Sequence, residues 1–132
     1  NPLGVEVEFG TPEHRGGKRW QLPVLVRIPF REVTLLPNGD VEQGRLNIYL
    51  VIKDEKGAVS DLHRHPYPVS IPHDQLELAR SQAIGYYATL EVRAGRPTLA
   101  VGVWDELSGI ESFVQTEVLV GAAGRGRREP SR

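Results

Sequence analysis

Short segments in which apolar and polar residues alternate run through most of this chain, and turn residues separate them. The two-residue period is clearest at residues 24–30, 46–52 and 114–120. Successive side chains of a β-strand point to opposite faces, so this period predicts strands with one buried face. About seven or eight such segments recur without the long intervening helices that a parallel sheet requires. The sequence therefore predicts an all-β fold, an antiparallel two-sheet immunoglobulin-like sandwich.

Turn chemistry and one helical segment divide the strands. Pro37–Asp40 and Asp54–Gly57 combine the Pro, Asn, Asp and Gly residues of tight turns, which predicts a turn at the first and a hairpin at the second. Residues 73–82 lack the alternation and predict one short helix that crosses between the sheets. The residues expected in the core are Val24, Val26, Leu46, Ile48, Leu50, Leu90, Val101, Val103, Trp104 and Val118.

Composition favours one folded domain. The 132 residues are 39% hydrophobic and 25% charged, which suits a chain with a single core. We expect that domain over residues 1–120, followed by a disordered Arg- and Gly-rich tail over 121–132. No apolar run reaches the ~18–20 residues of a membrane-spanning helix, and a net charge of −1 gives no basic footprint. We therefore expect neither nucleic-acid binding nor membrane insertion by this domain.

Two residue types are missing from the chain. It contains no cysteine, which excludes disulfides, thiolate catalysis and thiolate zinc sites. It also contains no methionine and begins at Asn1. A complete gene product starts with methionine, so we expect a processed chain or, in preference, a domain of a longer protein.

The sequence motifs of common catalytic sites are also missing. There is no glycine-rich run ending in Gly-Lys-Ser/Thr, no Gly-x-Gly-x-x-Gly and no Gly-x-Ser-x-Gly. Ser108 stands between Leu107 and Gly109 in a predicted hairpin loop, where serine is a common turn residue. We therefore expect no catalytic residue, no cofactor and no enzymatic activity.

His63 and His65 are the sharpest candidates for metal ligands. Residues two apart on a strand point to the same face at about 6.5–7 Å, a spacing that suits two imidazoles on one ion. His73 or Asp61 would complete a set of three ligands. A structural zinc site needs four ligands, so we predict that these histidines form no such site.

The tyrosines and one tryptophan offer two interpretations. Tyr86 and Tyr87 follow a glycine, as in the tyrosine corner of sandwich folds, and strand alternation turns one of the pair inward. We favour a role in the core or the corner. The functional alternative is an aromatic platform for a sugar, formed by Tyr86 with Tyr49, Trp20 or Tyr67.

Several segments together resemble a known family. They are residues 27–30, 33–37, 44–57, 99–109 and 112–114, which include Arg27-Ile28-Pro29-Phe30, Val51-Ile52-Lys53-Asp54-Glu55-Lys56-Gly57 and Val101-Gly102-Val103-Trp104-Asp105-Glu106-Leu107-Ser108-Gly109. This pattern resembles the C-terminal β-sandwich region of bacterial von Willebrand factor A-related proteins of the acidobacterial type. The match covers roughly residues 3 to 120 and consists of strand and turn patterns.

The resemblance implies a non-catalytic structural or protein-interaction module of a larger secreted, periplasmic or cell-envelope protein. Its partners would be a neighbouring von Willebrand A domain and other envelope proteins. The alternative to this function is a carbohydrate-binding module. The Asp-x-Ser-x-Ser metal motif of the A domain does not occur in this chain, so no metal ligand is carried over.

Sandwich loops cluster at the ends of the sheets, which makes 10–18, 37–44 and 105–112 the expected contact loops. An edge strand interrupted by Pro23 and Pro29, or by Pro66 and Pro68, is the other candidate surface.

Overall fold

Nine strands, a 3-10 turn at Phe30–Glu32 and one short helical segment make up the fold in a computed structural model, which describes residues 1–60 and 62–121. The strands are β1 (Glu6–Phe9), β2 (Glu13–His14), β3 (Arg19–Pro29), β4 (Leu36–Asn38), β5 (Val41–Lys53), β6 (His63–Pro72), β7 (Ala83–Arg93), β8 (Thr98–Asp105) and β9 (Glu111–Glu117). The disordered tail predicted for residues 121–132 lies outside the described residues from position 122 onward.

The strands form two sheets, and each of the strand pairings among the described residues is antiparallel. In the first sheet β3 is central, with β1 and β2 along one side and β7 along the other. In the second sheet β5 is central, with β6 on one side and β8 followed by β9 on the other. The short β4 forms a hairpin with the start of β5. The predicted two-sheet antiparallel sandwich is confirmed.

The core lies between the two sheets and follows the predicted alternation. Even-numbered residues of β3, β5 and β7 and odd-numbered residues of β8 turn inward. The predicted core residues that are buried are Val24, Val26, Leu46, Ile48, Leu50, Leu90, Val101 and Val103. Val118 is only partly buried, although it packs against this core.

Trp104 lies on the outer face of the second sheet, so its predicted place in the core is wrong. Val101 and Val103 set the inward positions of β8 at odd numbers, and the next inward position falls on Asp105. At this end of β8 the fully buried residue is therefore Asp105, and not Trp104 as predicted.

The predicted helix over 73–82 is present in a shorter form. It consists of a 3-10 turn, His73–Gln75, and one α-helical turn, α1 (Leu76–Ala79). The backbone N–H of Gln82 bonds to the carbonyl of Ala79, and β7 begins at the next residue. Among the described residues, no helix is long and apolar enough to cross a membrane.

Candidate functional site

Three aromatic side chains lie together on the outer face of the second sheet. Tyr49 of β5 and Phe113 of β9 are the cross-strand neighbours of Gly102 on the intervening β8. A Cβ atom placed on Gly102 would lie 3.6 Å from the Phe113 ring and 3.7 Å from Tyr49, so both side chains flank the glycine. Trp104 stands two residues along β8 and therefore faces the same side. We call Tyr49, Trp104 and Phe113 the aromatic face.

A row of polar side chains borders the aromatic face. Asn47 is completely buried, and its amide donates to Glu106 Oε2 at 2.8 Å. Its Oδ1 accepts two bonds from the guanidinium of Arg64, at 3.1 and 3.3 Å. Glu106 also pairs with Arg45 at 3.3 Å. Because these bonds satisfy the buried Asn47 and hold the charged groups in place, the row gives the aromatic face a fixed polar border.

The aromatic face is partly open to solvent, with Tyr49 and Trp104 half-buried. Phe113 is 66% exposed, and Leu107 and Ile110 in the loop before β9 are 45% and 43% exposed. That loop belongs to the predicted contact segment 105–112. Apolar side chains gathered on one face and bordered by polar groups are typical of surfaces that bind another molecule.

The structure brings two of the three candidate histidines to one place. His63 and His65 both line a cleft of about 360 Å³ between β6 and β7, on the same side of β6, as their spacing predicts. His73 lies beyond the other end of β6, where its Nδ1 is 3.1 Å from Glu42 Oε2. Asp61, the alternative third ligand, lies outside the described residues. Within residues 1–60 and 62–121, no three His, Asp or Glu side chains are grouped to hold a metal ion.

Of the candidate platform residues, only Tyr86 and Tyr67 come together. Tyr86 turns inward and lies against His65 and Tyr67, with ring centroids 5.2 and 6.2 Å away. Burial raises the pKa of the Tyr86 phenol above its usual value. Trp20 packs against the core and the ring of His14. Of the four platform residues named from the sequence, only Tyr49 belongs to the aromatic face.

One of the two adjacent tyrosines faces outward, as the strand alternation predicts. Tyr87 is 77% exposed on the outer face of the first sheet, whereas Tyr86 is half-buried. Among the described residues, Tyr86 makes ring contacts and no hydroxyl bond to the backbone of the kind that defines a tyrosine corner.

Phe113 and Trp104 are the site residues that the sequence interpretation missed. The sequence pattern predicts Trp104 in the core and gives Phe113 no role in a site. The two-residue period of β8 was the signal that could have found them. It puts Gly102 and Trp104 at outward positions, and a glycine there leaves room for rings on both neighbouring strands.

Comparison with known proteins informs the fold alone. No family model and no curated protein matches the chain. One similar solved structure is an X-ray structure of Northeast Structural Genomics Consortium target SoR45, with 15% identity, a TM-score of 0.57 and coverage of 100% of this chain and 96% of that one. Another is the putative ApaA protein from Bordetella pertussis, with 15% identity, a TM-score of 0.49 and coverage of 90% and 94%. The first likeness supports the two-sheet sandwich and carries no information on activity.

Proposed function

We propose that this domain is a non-catalytic protein-interaction module of a larger exported protein related to von Willebrand factor A proteins. It supports or presents a neighbouring domain, and its aromatic face makes the contact. The observation that carries the proposal is that the exposed Phe113 and the half-buried Tyr49 and Trp104 share the outer side of one sheet. Aromatic residues and arginine are the side chains that contribute most binding energy in protein interfaces.

The polar row suits such a contact. Arg64 and Arg45 are exposed, and each is held by a partner, Asn47 or Glu106, before any binding occurs. Side chains that are already ordered lose less entropy when a partner docks. Tyr49 and Trp104 lie on the β5–β8 ladder and Phe113 on the adjoining β9, so the geometry of the face is fixed by the core below it.

The test joins the domain to the segment that precedes it in its gene product and also prepares the two pieces separately. We expect the pieces to bind each other and to raise each other's melting temperature. Phe113→Ser and Trp104→Ser should each weaken the affinity by at least about tenfold. Tyr87→Ser is the matched control, because it removes a ring at least as exposed as Phe113 from the opposite sheet and should leave the affinity unchanged.

Two results would overturn the proposal. One is that the pieces neither bind nor stabilise each other, and the other is that the Phe113 and Tyr87 variants lose affinity equally. Turnover of a substrate by the isolated domain would contradict its non-catalytic part.

A carbohydrate-binding module is the second candidate. The specific observation in its favour is that Tyr49 and Trp104 share a face with the exposed guanidinium groups of Arg64 and Arg45. Sugar sites combine apolar ring surfaces with a few placed polar groups. Retention of a glycan on an array by the wild-type domain, lost in Tyr49→Ser and kept in Tyr86→Phe, would favour this function over protein binding.

A further inference from the structure

The two outermost strands on one side of the sandwich differ in how their free edges are protected. β6 ends the second sheet and β7 ends the first, and the ring contact between His65 and Tyr86 places them on the same side. A free edge presents unpaired N–H and C=O groups that can pair with another strand, and natural proteins block such edges.

Proline blocks the free edge of β6. The N–H of His73 bonds to the carbonyl of Asp40, in line with the β5–β6 register, so odd-numbered residues of β6 direct their backbone groups toward β5. Even-numbered residues therefore direct theirs outward. Pro66, Pro68 and Pro72 occupy even positions, and proline has no N–H to donate.

The free edge of β7 has no such protection. The N–H of Phe30 bonds to the carbonyl of Gln82, in line with the β3–β7 register, so even-numbered residues of β7 face β3. The outward residues are Ala83, Gly85, Tyr87, Thr89, Glu91 and Arg93. No proline is among them, the register with β3 is unbroken from Ala83 to Arg93, and within the described residues their backbone groups have no partner.

We propose that β7 pairs antiparallel with β7 of a second copy of this chain, which joins the two first sheets into one continuous sheet. A two-fold axis through a residue of β7 places outward residues opposite outward residues, so each edge satisfies the other. Full overlap of the strands puts this axis at Ala88. Each outward residue then donates one backbone hydrogen bond and accepts one.

The charges on β7 agree with this register. Glu91 is then opposite the partner's Gly85 and Arg93 is opposite the partner's Ala83, so no like charges meet. Gly85 adds no side chain to the row that it shares with Arg27 of β3. Because strands lie about 4.8 Å apart, the partner's Glu91 backbone is about 10 Å from that of Arg27. Two long side chains span this distance over the glycine, so the partner's Glu91 would join the ion pair that Arg27 already makes with Glu8.

The pairing also covers exposed apolar surface. Tyr87 is 77% exposed and lies beside Leu25, its cross-strand neighbour on β3. In the proposed register it is opposite the partner's Thr89. The inference does not rest on the proposed function, because the aromatic face lies on the outer side of the other sheet.

The test measures the mass of the full chain by sedimentation velocity over a concentration series from micromolar to millimolar. We expect wild-type mass to double with concentration. Thr89→Pro removes one outward N–H and leaves the ladder with β3 intact, so this variant should stay monomeric. Ser70→Pro is the matched control, since it makes the same change at an outward position of β6 and should still dimerise.

A charge variant tests the register. Glu91→Lys would place a cation near the partner's Arg27 and should weaken dimerisation at least tenfold at low salt, whereas Glu117→Lys on β9 should not change it. The proposal is overturned if the wild-type chain stays monomeric throughout, or if Thr89→Pro dimerises as wild type does. Dimerisation that is lost in Phe113→Ser and kept in Thr89→Pro would assign self-association to the aromatic face instead.

Discussion

The carboxylate of Asp105 accepts a hydrogen bond from the backbone N–H of Thr34 at 2.8 Å, across 71 positions of sequence. Its other oxygen accepts from the N–H groups of Leu107 and Ser108, at 3.1 and 3.3 Å. One fully buried acidic side chain therefore ties the segment before β4 to the loop that follows β8. That loop borders the aromatic face, so Asp105 fixes the position of the candidate site.

Asp105→Asn should destabilise the domain by about 1–3 kcal/mol. The amide substitutes an N–H donor for one carboxylate oxygen, and a buried backbone N–H then meets a donor in place of an acceptor. The measurement is urea unfolding at neutral pH. Glu6→Gln is the control, since it makes the same chemical change on an exposed residue of β1 and should shift stability by no more than about 0.5 kcal/mol. Equal effects of the two substitutions would contradict this role for Asp105.

Two strand glycines should respond to alanine with opposite signs. At Gly102 an added Cβ makes ordinary contacts, 3.6 Å from Phe113 and 3.7 Å from Tyr49. Gly102→Ala should therefore stabilise the domain by about 0.4–1 kcal/mol, because alanine restricts the unfolded chain. At Gly44 the Cβ would lie 2.8 Å from the carbonyl oxygen of Thr34 and 2.9 Å from Leu35. Gly44→Ala should cost about 1–3 kcal/mol.

Thermal and urea unfolding of both alanine variants measure this difference. If Gly102→Ala proves destabilising, the outer face of β8 is packed more tightly around the glycine than its contacts indicate.

Tyr86 should make stability sensitive to alkaline pH. Burial raises the pKa of its phenol above the ordinary 10.0, so the folded state holds this proton more tightly than the unfolded state does. The resulting stability is intact below pH 10 and falls as pH rises from there through the folded-state pKa. Tyr86→Phe has no proton to lose at this position. Above pH 10 the unfolding free energy of wild type should therefore fall relative to that of the variant.

Urea midpoints from pH 8 to 11 measure that trend. Tyr87→Phe, which alters a ring that is mostly in solvent, should follow the wild-type curve. A constant gap between Tyr86→Phe and wild type over the whole range would contradict the prediction.

Local sequence pattern predicted the strands best where one face is apolar and the other polar. Residues 24–30 and 46–52 show this pattern, and their inward residues were assigned correctly. In β8 the run from Leu99 to Trp104 is apolar or small at every position, so the pattern does not reveal which parity faces inward. The inward place of Asp105 depends on partners that are distant in sequence.

The candidate site was less predictable because cross-strand neighbours create it. Tyr49 and Phe113 are 64 positions apart along the chain, and only the β5–β8–β9 register brings them to either side of Gly102. The β7 edge is similar, since its exposure follows from the strand order of the first sheet. Prolines 66, 68 and 72 were visible in the sequence, but the outward direction of their backbone required the register of β6.

Repulsion between Arg19 and Arg93 should lower the stability of the domain at low salt, and added salt should relieve it. They are directly opposite each other on β3 and β7, both are exposed, and neither has an ion-pair partner among the described residues. Like charges at opposite positions destabilise a strand pair. Arg93→Gln should therefore raise stability by about 0.2–1 kcal/mol at low salt. The gain should vanish in 1 M NaCl, where charges are screened beyond ~3 Å. Arg31→Gln, outside the strands, should show no such salt dependence in the same urea titrations. A gain for Arg93→Gln that is equal at low and high salt would show that the effect is not electrostatic.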